Sequence, residues 1–197
     1  CEITFVMPLG SPVPPSPETS AALMAEFDSR GITFVGGKRP ARLEPGKVAL
    51  DDGTELPFDL FLGVPKHRAP AVVIESGMTE DGFVTVDSAT LKTKYEDVYA
   101  VGDVATAGVP KAGVFAEGAA KVVARELIAE IRGEPVPEPY DGRGSCYIEF
   151  GEDRIARADI DFLSGPEKTG EFNPPSLALR DEKDEFGASR KARWFGL

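Results

Sequence analysis

Residues 3–36 restrict the possible folds of this chain more than any other stretch. "ITFVM" (3–7) is an unbroken apolar run of the kind found in parallel strands covered on both faces. "PLGSPVPPSP" (8–17) carries five prolines and has to be a loop. Ser16 is placed to cap a helix, with Pro17 at its first position. The helix "PETSAALMAEFDSR" then stops at Gly31, a residue suited to the left-handed conformation that ends helices. "ITFVG" (32–36) is a second strand. Strand, helix, strand is a βαβ unit, which commits the chain to an α/β fold with a parallel sheet.

The remaining elements read more locally. "KVALDDGTEL" (47–56) is a hairpin turning at Asp52-Gly53. "FDLFLGV" (58–64) is expected to be a buried strand ending at Pro65, and "APAVVIESGM" (69–78) a short helix. "GFVTVD" (82–87) alternates like a strand with one exposed face, and "DVYAV" (97–101) reads as a second buried strand. Residues 113–132 are the clearest helix. Phe115, Ala119, Val123, Leu127 and Ile131 are expected to form its buried stripe, and Gly133 and Pro135 end it. "EPVPEPYDGRG" (134–144) is a linker into a different module. There "SCYIEF" and "RIARADIDFL" flank a Gly151-Glu152-Asp153 turn, "GPEKTGEFNPPS" is a loop, and "LALRDEKDEFGASRKARWFG" is a polar helix docking by Phe186, Trp194 and Phe195.

Composition narrows the function classes. The 197 residues carry a net charge of −11, which argues against general nucleic-acid binding. With a single histidine, His67, and no CxxC pair, a metal site is not expected. Two distant cysteines, Cys1 and Cys146, suit a reduced, cytoplasmic setting, with Cys146 expected as a buried thiol. No apolar run reaches the roughly 18–20 residues of a membrane span. The terminal "SRKARWFGL" is read as a docked tail, with peripheral contact at a membrane surface as the alternative.

The chemistry concentrates in "VYAVGDVATAGVPKAGVFAEGAAKVVA" (98–124). In an open parallel sheet, ligands sit beyond the carboxyl ends of strands. At such an end Gly102 allows close approach to the backbone, and the Asp103 carboxylate can accept hydrogen bonds from hydroxyl groups. The helix start at Gly113 offers the opposite polarity, free N–H groups and partial positive charge. The pair suits a ligand with a hydroxyl-rich part and an electron-rich carbonyl or anion. A flavin with its ribityl chain has both. A plain capped turn followed by a helix start set by packing is the competing account.

"TKYEDVYAVGDVA" resembles the second flavin-binding signature of the FAD-dependent pyridine nucleotide–disulfide oxidoreductase superfamily. "VPKAGVFAEGAAKVVA", "SCYIEFGED" and "FGASRKARWFG" resemble its sulfide:quinone oxidoreductase and flavocytochrome c sulfide dehydrogenase branch. The resemblance implies partial Rossmann-like, three-layer FAD/NAD(P)-binding domains plus a small carboxy-terminal α+β module. Residues 1–64 would be the remnant of the second, NAD-like domain, 65–133 the end of the FAD domain, and 134–197 an interface module. It implies FAD as cofactor in the parent protein. Asp103 would sit on the ribityl hydroxyls with Gly102 beside it, and Lys111, Ala112, Gly113, Val114 and Pro65 would lie around the ring and a quinone pocket. Lys111 and His67 are the candidate catalytic groups, and Phe115 is read as core.

The chain also departs from that pattern. No G-x-G-x-x-G turn for the FAD diphosphate occurs. The chain is therefore expected to be the carboxy-terminal half of a longer flavoprotein, with the missing half as its partner and a homodimer or docking surface after residue 134. Alone, it is expected to be inactive and to hold little or no FAD. The family's redox cysteine before the "YAVGD" signature aligns with Ala89, which weakens sulfide as the donor. An NAD(P)H-dependent flavin reductase and a non-catalytic scaffold that has lost flavin are the alternatives.

Overall fold

The computed structural model describes residues 1–135 and 138–197; two residues of the expected linker, Val136 and Pro137, lie outside the described residues. The chain divides into two compact units. The first comprises Cys1–Pro65, Tyr147–Ala158 and Gly170–Leu197, the second Lys66–Cys146 and Asp159–Thr169.

The first unit opens with the βαβ element. β1 (Ile3–Met7) pairs in parallel with β2 (Ile32–Gly36), Ile3 opposite Ile32 through Met7 opposite Gly36. The crossover is α1 (Pro17–Ser29), whose cap is Ser16: its hydroxyl accepts from the Thr19 amide and lies 2.7 Å from the Thr19 hydroxyl. Gly31 follows at φ +65°, as the sequence implies. Phe5, Phe27 and Phe34 form one aromatic cluster, with ring centres 5.7–6.2 Å apart. An antiparallel meander follows: β3 (Pro40–Glu44), β4 (Lys47–Leu50) and β5 (Glu55–Pro57), with β4 central. Val48 and Leu50 of β4 are buried, and the β4–β5 turn has Gly53 at φ +86°.

Residues 58–64 do not form the expected strand. Leu60, Leu62 and Val64 are 75%, 85% and 86% exposed. An apolar run without alternation needs a ladder partner and cover on both faces, and among the described residues no strand pairs with it.

In the second unit, α2 (Ala71–Glu75) is the expected short helix. β6 (Thr79–Glu80) and β7 (Phe83–Val84) form a small hairpin. Val84 and Val86 point inward while Thr85 and Asp87 are exposed, so the alternation read at 82–87 is right although the ladder is short. Residues 97–101 also lack a ladder. Tyr99 makes a single bridge to Lys92; of the run only Ala100 is buried, with Tyr99 and Val101 partly buried against the core.

α3 (Gly113–Arg132) has the expected limits, with Gly133 left-handed at φ +66°. Its buried face is Phe115, Ala119, Val122, Val123, Glu126 and Ala129; Leu127 and Ile131 are exposed. The expected stripe of every fourth residue drifts around a helix of 3.6 residues per turn. The true face alternates steps of four and three. Against it pack Val84, Val86, Leu91, Ala100, Ala105, Ala107 and Tyr140, the core of this unit.

The tail departs from expectation in two places. β8 (Arg143–Glu149) and β9 (Ile155–Asp161) flank the expected tight turn, but residues 169–176 form a third strand, β10, rather than a loop. The order β10-β9-β8 puts β10 at an edge, where Pro174 and Pro175 need not donate to an inner ladder. α4 (Leu177–Phe195) starts at a Ser176 cap. Of its three aromatics only Phe186 docks, edge-on to Tyr147 at 5.5 Å; Trp194 and Phe195 are exposed.

Candidate functional site

The loop between residues 101 and 113 of the second unit brings the sequence candidates together. Gly102–Val104 is a single 3₁₀ turn. Gly102 takes φ +75°, which glycine adopts without the steric cost of a side chain. Beyond it the chain is tied to β7: Ala105 bridges Val84, and the Thr106 amide donates to the Val84 carbonyl at 3.0 Å. The turn therefore projects from an anchored backbone. Asp103 is exposed at its tip, and among the described residues its carboxylate accepts no hydrogen bond.

Facing the turn is the start of α3. Its N-cap position is Ala112, extended at φ −145°, with no side-chain cap. Helix starts favour Ser, Thr, Asp or Asn here, and an alanine in their place costs about 1 kcal/mol. No acidic residue stands in the first turn. The Gly113 and Val114 amides thus lack both an intrahelical acceptor and a side-chain cap, at the positive end of a 20-residue helix. Gly102, Asp103, Lys111, Ala112, Phe115 and Ala116 are among the residues lining the crevice between turn and helix. The crevice is about 10 Å³, room for about one water, so a larger ligand would lie across its mouth.

Lys111 takes an unexpected course. Its ammonium turns back under the loop, donating to the Asp103 carbonyl and to the Ala105 carbonyl at 3.3 Å, and lies 3.8 Å from the Phe83 ring centre. Burial pulls its pKa below the ordinary lysine value, with the Asp103 carboxylate opposing that shift. Phe83 and Ala105 escape a sequence reading, because nothing local couples them to Lys111.

His67 and Pro65 are exposed in the irregular stretch that follows β5, and His67 does not line the crevice. Phe115 is 2% exposed and stacks edge-on against Phe162 at 5.3 Å, a core residue as expected. Ala89 is held in a turn in which its amide donates to Asp87 and its carbonyl accepts from Tyr140. Cys146 is exposed rather than buried. Partial desolvation and then Asp159 raise the pKa of its thiol.

A larger cleft, about 290 Å³, lies beside β6 and residues 92–95. Of its charged residues, Lys94 pairs with Glu80 at 2.8 Å, Lys92 with Glu126 of α3 at 2.5 Å, and Asp87 accepts from the Ala89 and Thr90 amides. Among the described residues no group of three or more His, Cys, Asp or Glu side chains could hold a metal, and no helix is long and apolar enough to cross a membrane.

The model of the pyridine nucleotide-disulphide oxidoreductase family matches residues 1–122. The mitochondrial sulfide:quinone oxidoreductase of Schizosaccharomyces pombe is 29% identical over 167 residues, covering 75% of this chain and 36% of that protein. The sulfide-quinone reductase of Aquifex aeolicus is 28% identical over 147 residues, covering 64% of this chain and 34% of that protein. The solved structure of the A. aeolicus sulfide:quinone oxidoreductase superposes with a TM-score of 0.75 at 20% identity, over 97% of this chain and 50% of that one. The chain thus spans about a third of the length of the curated relatives it matches.

Proposed function

The chain belongs to the pyridine nucleotide-disulphide oxidoreductase family, and from that premise we propose that it is the carboxy-terminal part of an FAD-dependent oxidoreductase passing electrons from a small donor to a quinone. The observation that carries the proposal is the uncapped start of α3 facing the exposed Asp103 across the Gly102 turn. A helix start kept for packing alone would gain from a cap. One left open suits an electron-rich group from outside the chain.

The residues present fit a flavin. Asp103 would accept from ribityl hydroxyls, Gly102 would let the chain approach closely, and the Gly113 and Val114 amides would offer donors to an electron-rich ring. A bound flavin would supply the two-electron chemistry, and the amides would favour negative charge on it. The diphosphate end of FAD has no glycine turn here, so tight binding calls for the remainder of a longer chain. In this reading residues 1–64 belong to a second dinucleotide-binding domain, 65–133 to the flavin domain and 134–197 to an interface module. Quinone as acceptor is supported by the similarity to sulfide:quinone oxidoreductases. The donor is a small molecule, with sulfide weakened by Ala89, the residue that the resemblance puts at the family's cysteine position.

The test is flavin content. The whole protein should purify yellow, and Asp103→Ala should lower its flavin affinity by about tenfold, the loss of charge-assisted hydrogen bonds. Unchanged affinity in that variant would remove the assignment. Trp194, Phe195 and Leu197, 55–85% exposed beside Lys191 and Arg193, suit peripheral contact with the membrane that carries quinone. Flotation with anionic phosphatidylglycerol vesicles should fall when both aromatics become serine; equal flotation would argue against that contact.

A further inference from the structure

The Lys111 ammonium is turned inward. It carries three donors. Two engage the Asp103 and Ala105 carbonyls, and the third direction is occupied by the face of Phe83, 3.8 Å from the ring centre. The lysine stem leaves the chain directly before the start of α3, so one side chain joins both halves of the site. Its head holds the turn that carries Asp103, and its root sits beside the N-cap residue Ala112.

The charge that acts on the Asp103 carboxylate is that of the Lys111 ammonium. The carboxylate is exposed and accepts no hydrogen bond among the described residues. The turn is one 3₁₀ segment entered through a left-handed glycine. Its orientation toward α3 depends on whatever grips its carbonyls, and Lys111 grips those on either side of Val104.

Resting on the flavin reading above, we infer that Lys111 is a positioning residue: it pins the Asp103–Ala105 turn to the start of α3 and acts on the cofactor through Asp103 rather than by touching the ring. A lysine reaching the ring directly would leave the two carbonyls unpaired. Phe83 belongs to the same device, since it fixes the ammonium's height under the loop.

The experiment is a double-mutant cycle on the whole flavin-loaded protein, read by flavin dissociation constant and flavin reduction potential. Lys111→Met keeps most of the stem and removes the donors. It should weaken flavin binding by about tenfold in the wild-type background and by less than about twofold in the Asp103→Ala background, with the potential unchanged. Equal losses in both backgrounds, or a shifted potential at unchanged affinity, would overturn the inference by putting the ammonium on the ring. Lys111→Arg can still span both carbonyls and should restore affinity to within about threefold of wild type. An arginine variant as weak as the methionine one would also count against it. A wild-type protein that holds no flavin sinks the functional reading instead, so the two failures are distinct.

Discussion

Leu91 shows how much a single residue can hide from a sequence reading. It sits at φ +60°, a left-handed conformation, yet its side chain is wholly enclosed in the core of its unit. Its amide donates to Asp87 and its carbonyl accepts from Ala100, so the turn is held on both sides. A left-handed L-residue costs about 1–2 kcal/mol. Truncating a buried leucine to alanine costs about 2–5 kcal/mol. Glycine normally does worse than alanine by about 0.5–1 kcal/mol, but it pays no left-handed penalty. Leu91→Gly should therefore match or exceed Leu91→Ala, by about 1 kcal/mol, in urea unfolding. The reverse order would mean that the turn relaxes once the side chain is gone. Asp103 is the contrasting residue. Its Gly-Asp pair at the end of an apolar run was legible because the signal is contiguous. Lys111 was legible as a neighbour of the α3 start, but the direction of its head was not, since Phe83 comes from the β6–β7 hairpin.

Among the elements, α3 was the most readable and also the most instructive. Gly113 and Gly133 mark its limits in sequence and in space. Its burial was misread in the second half, because a four-residue step rotates off the core within three turns. The unfilled N-cap gives a prediction at this scale. Ala112→Asp should stabilise the helix by about 1 kcal/mol, seen as a higher unfolding midpoint of the flavin-free protein. The same change should weaken flavin binding, because the new carboxylate takes the free amides and repels an electron-rich ring. A variant that gains both stability and flavin affinity would show that the helix start does not face the cofactor. β10 and the stretch 58–64 erred in opposite directions. Prolines make an edge strand resemble a loop, and an apolar run resembles a strand even where it has no ladder partner. Both outcomes depend on neighbours, not on composition.

For the whole molecule, the charged groups set a stability window in pH. The carboxylates that shift, Asp52, Glu80, Asp87, Glu149 and Asp161, all move down. For Asp52 the leading cause is the Lys38 hydrogen bond, and its pKa falls to about 2. For Asp161 it is the Ser164 amide, followed by Arg143. The unfolded chain binds more protons between about pH 2 and 4.5, so stability is full above that window and is lost as pH falls through it. Tyr140 and Tyr147 are pushed up to about 12, chiefly by desolvation. Their contribution is present below about pH 10 and is lost as pH rises toward 12. Urea midpoints should form a plateau between about pH 5 and 10 with losses on both sides. A midpoint that rises on acidification below pH 4 would contradict the ion-pair geometry.

What the sequence determined by itself is local. The Ser16 cap, the Gly31 and Gly133 stops, the Asp52-Gly53 and Gly151 turns and the Gly-Asp turn before α3 each depend on atoms a few residues apart. Short-range sterics and hydrogen bonding decide them whatever surrounds the chain. Only the tertiary structure decided which face of α3 is buried, that residues 58–64 remain unpaired, that 169–176 join a sheet edge, and that the Lys111 ammonium turns inward onto two carbonyls and a phenyl face. Each of these depends on groups brought together by the fold, and neither period nor composition carries their positions.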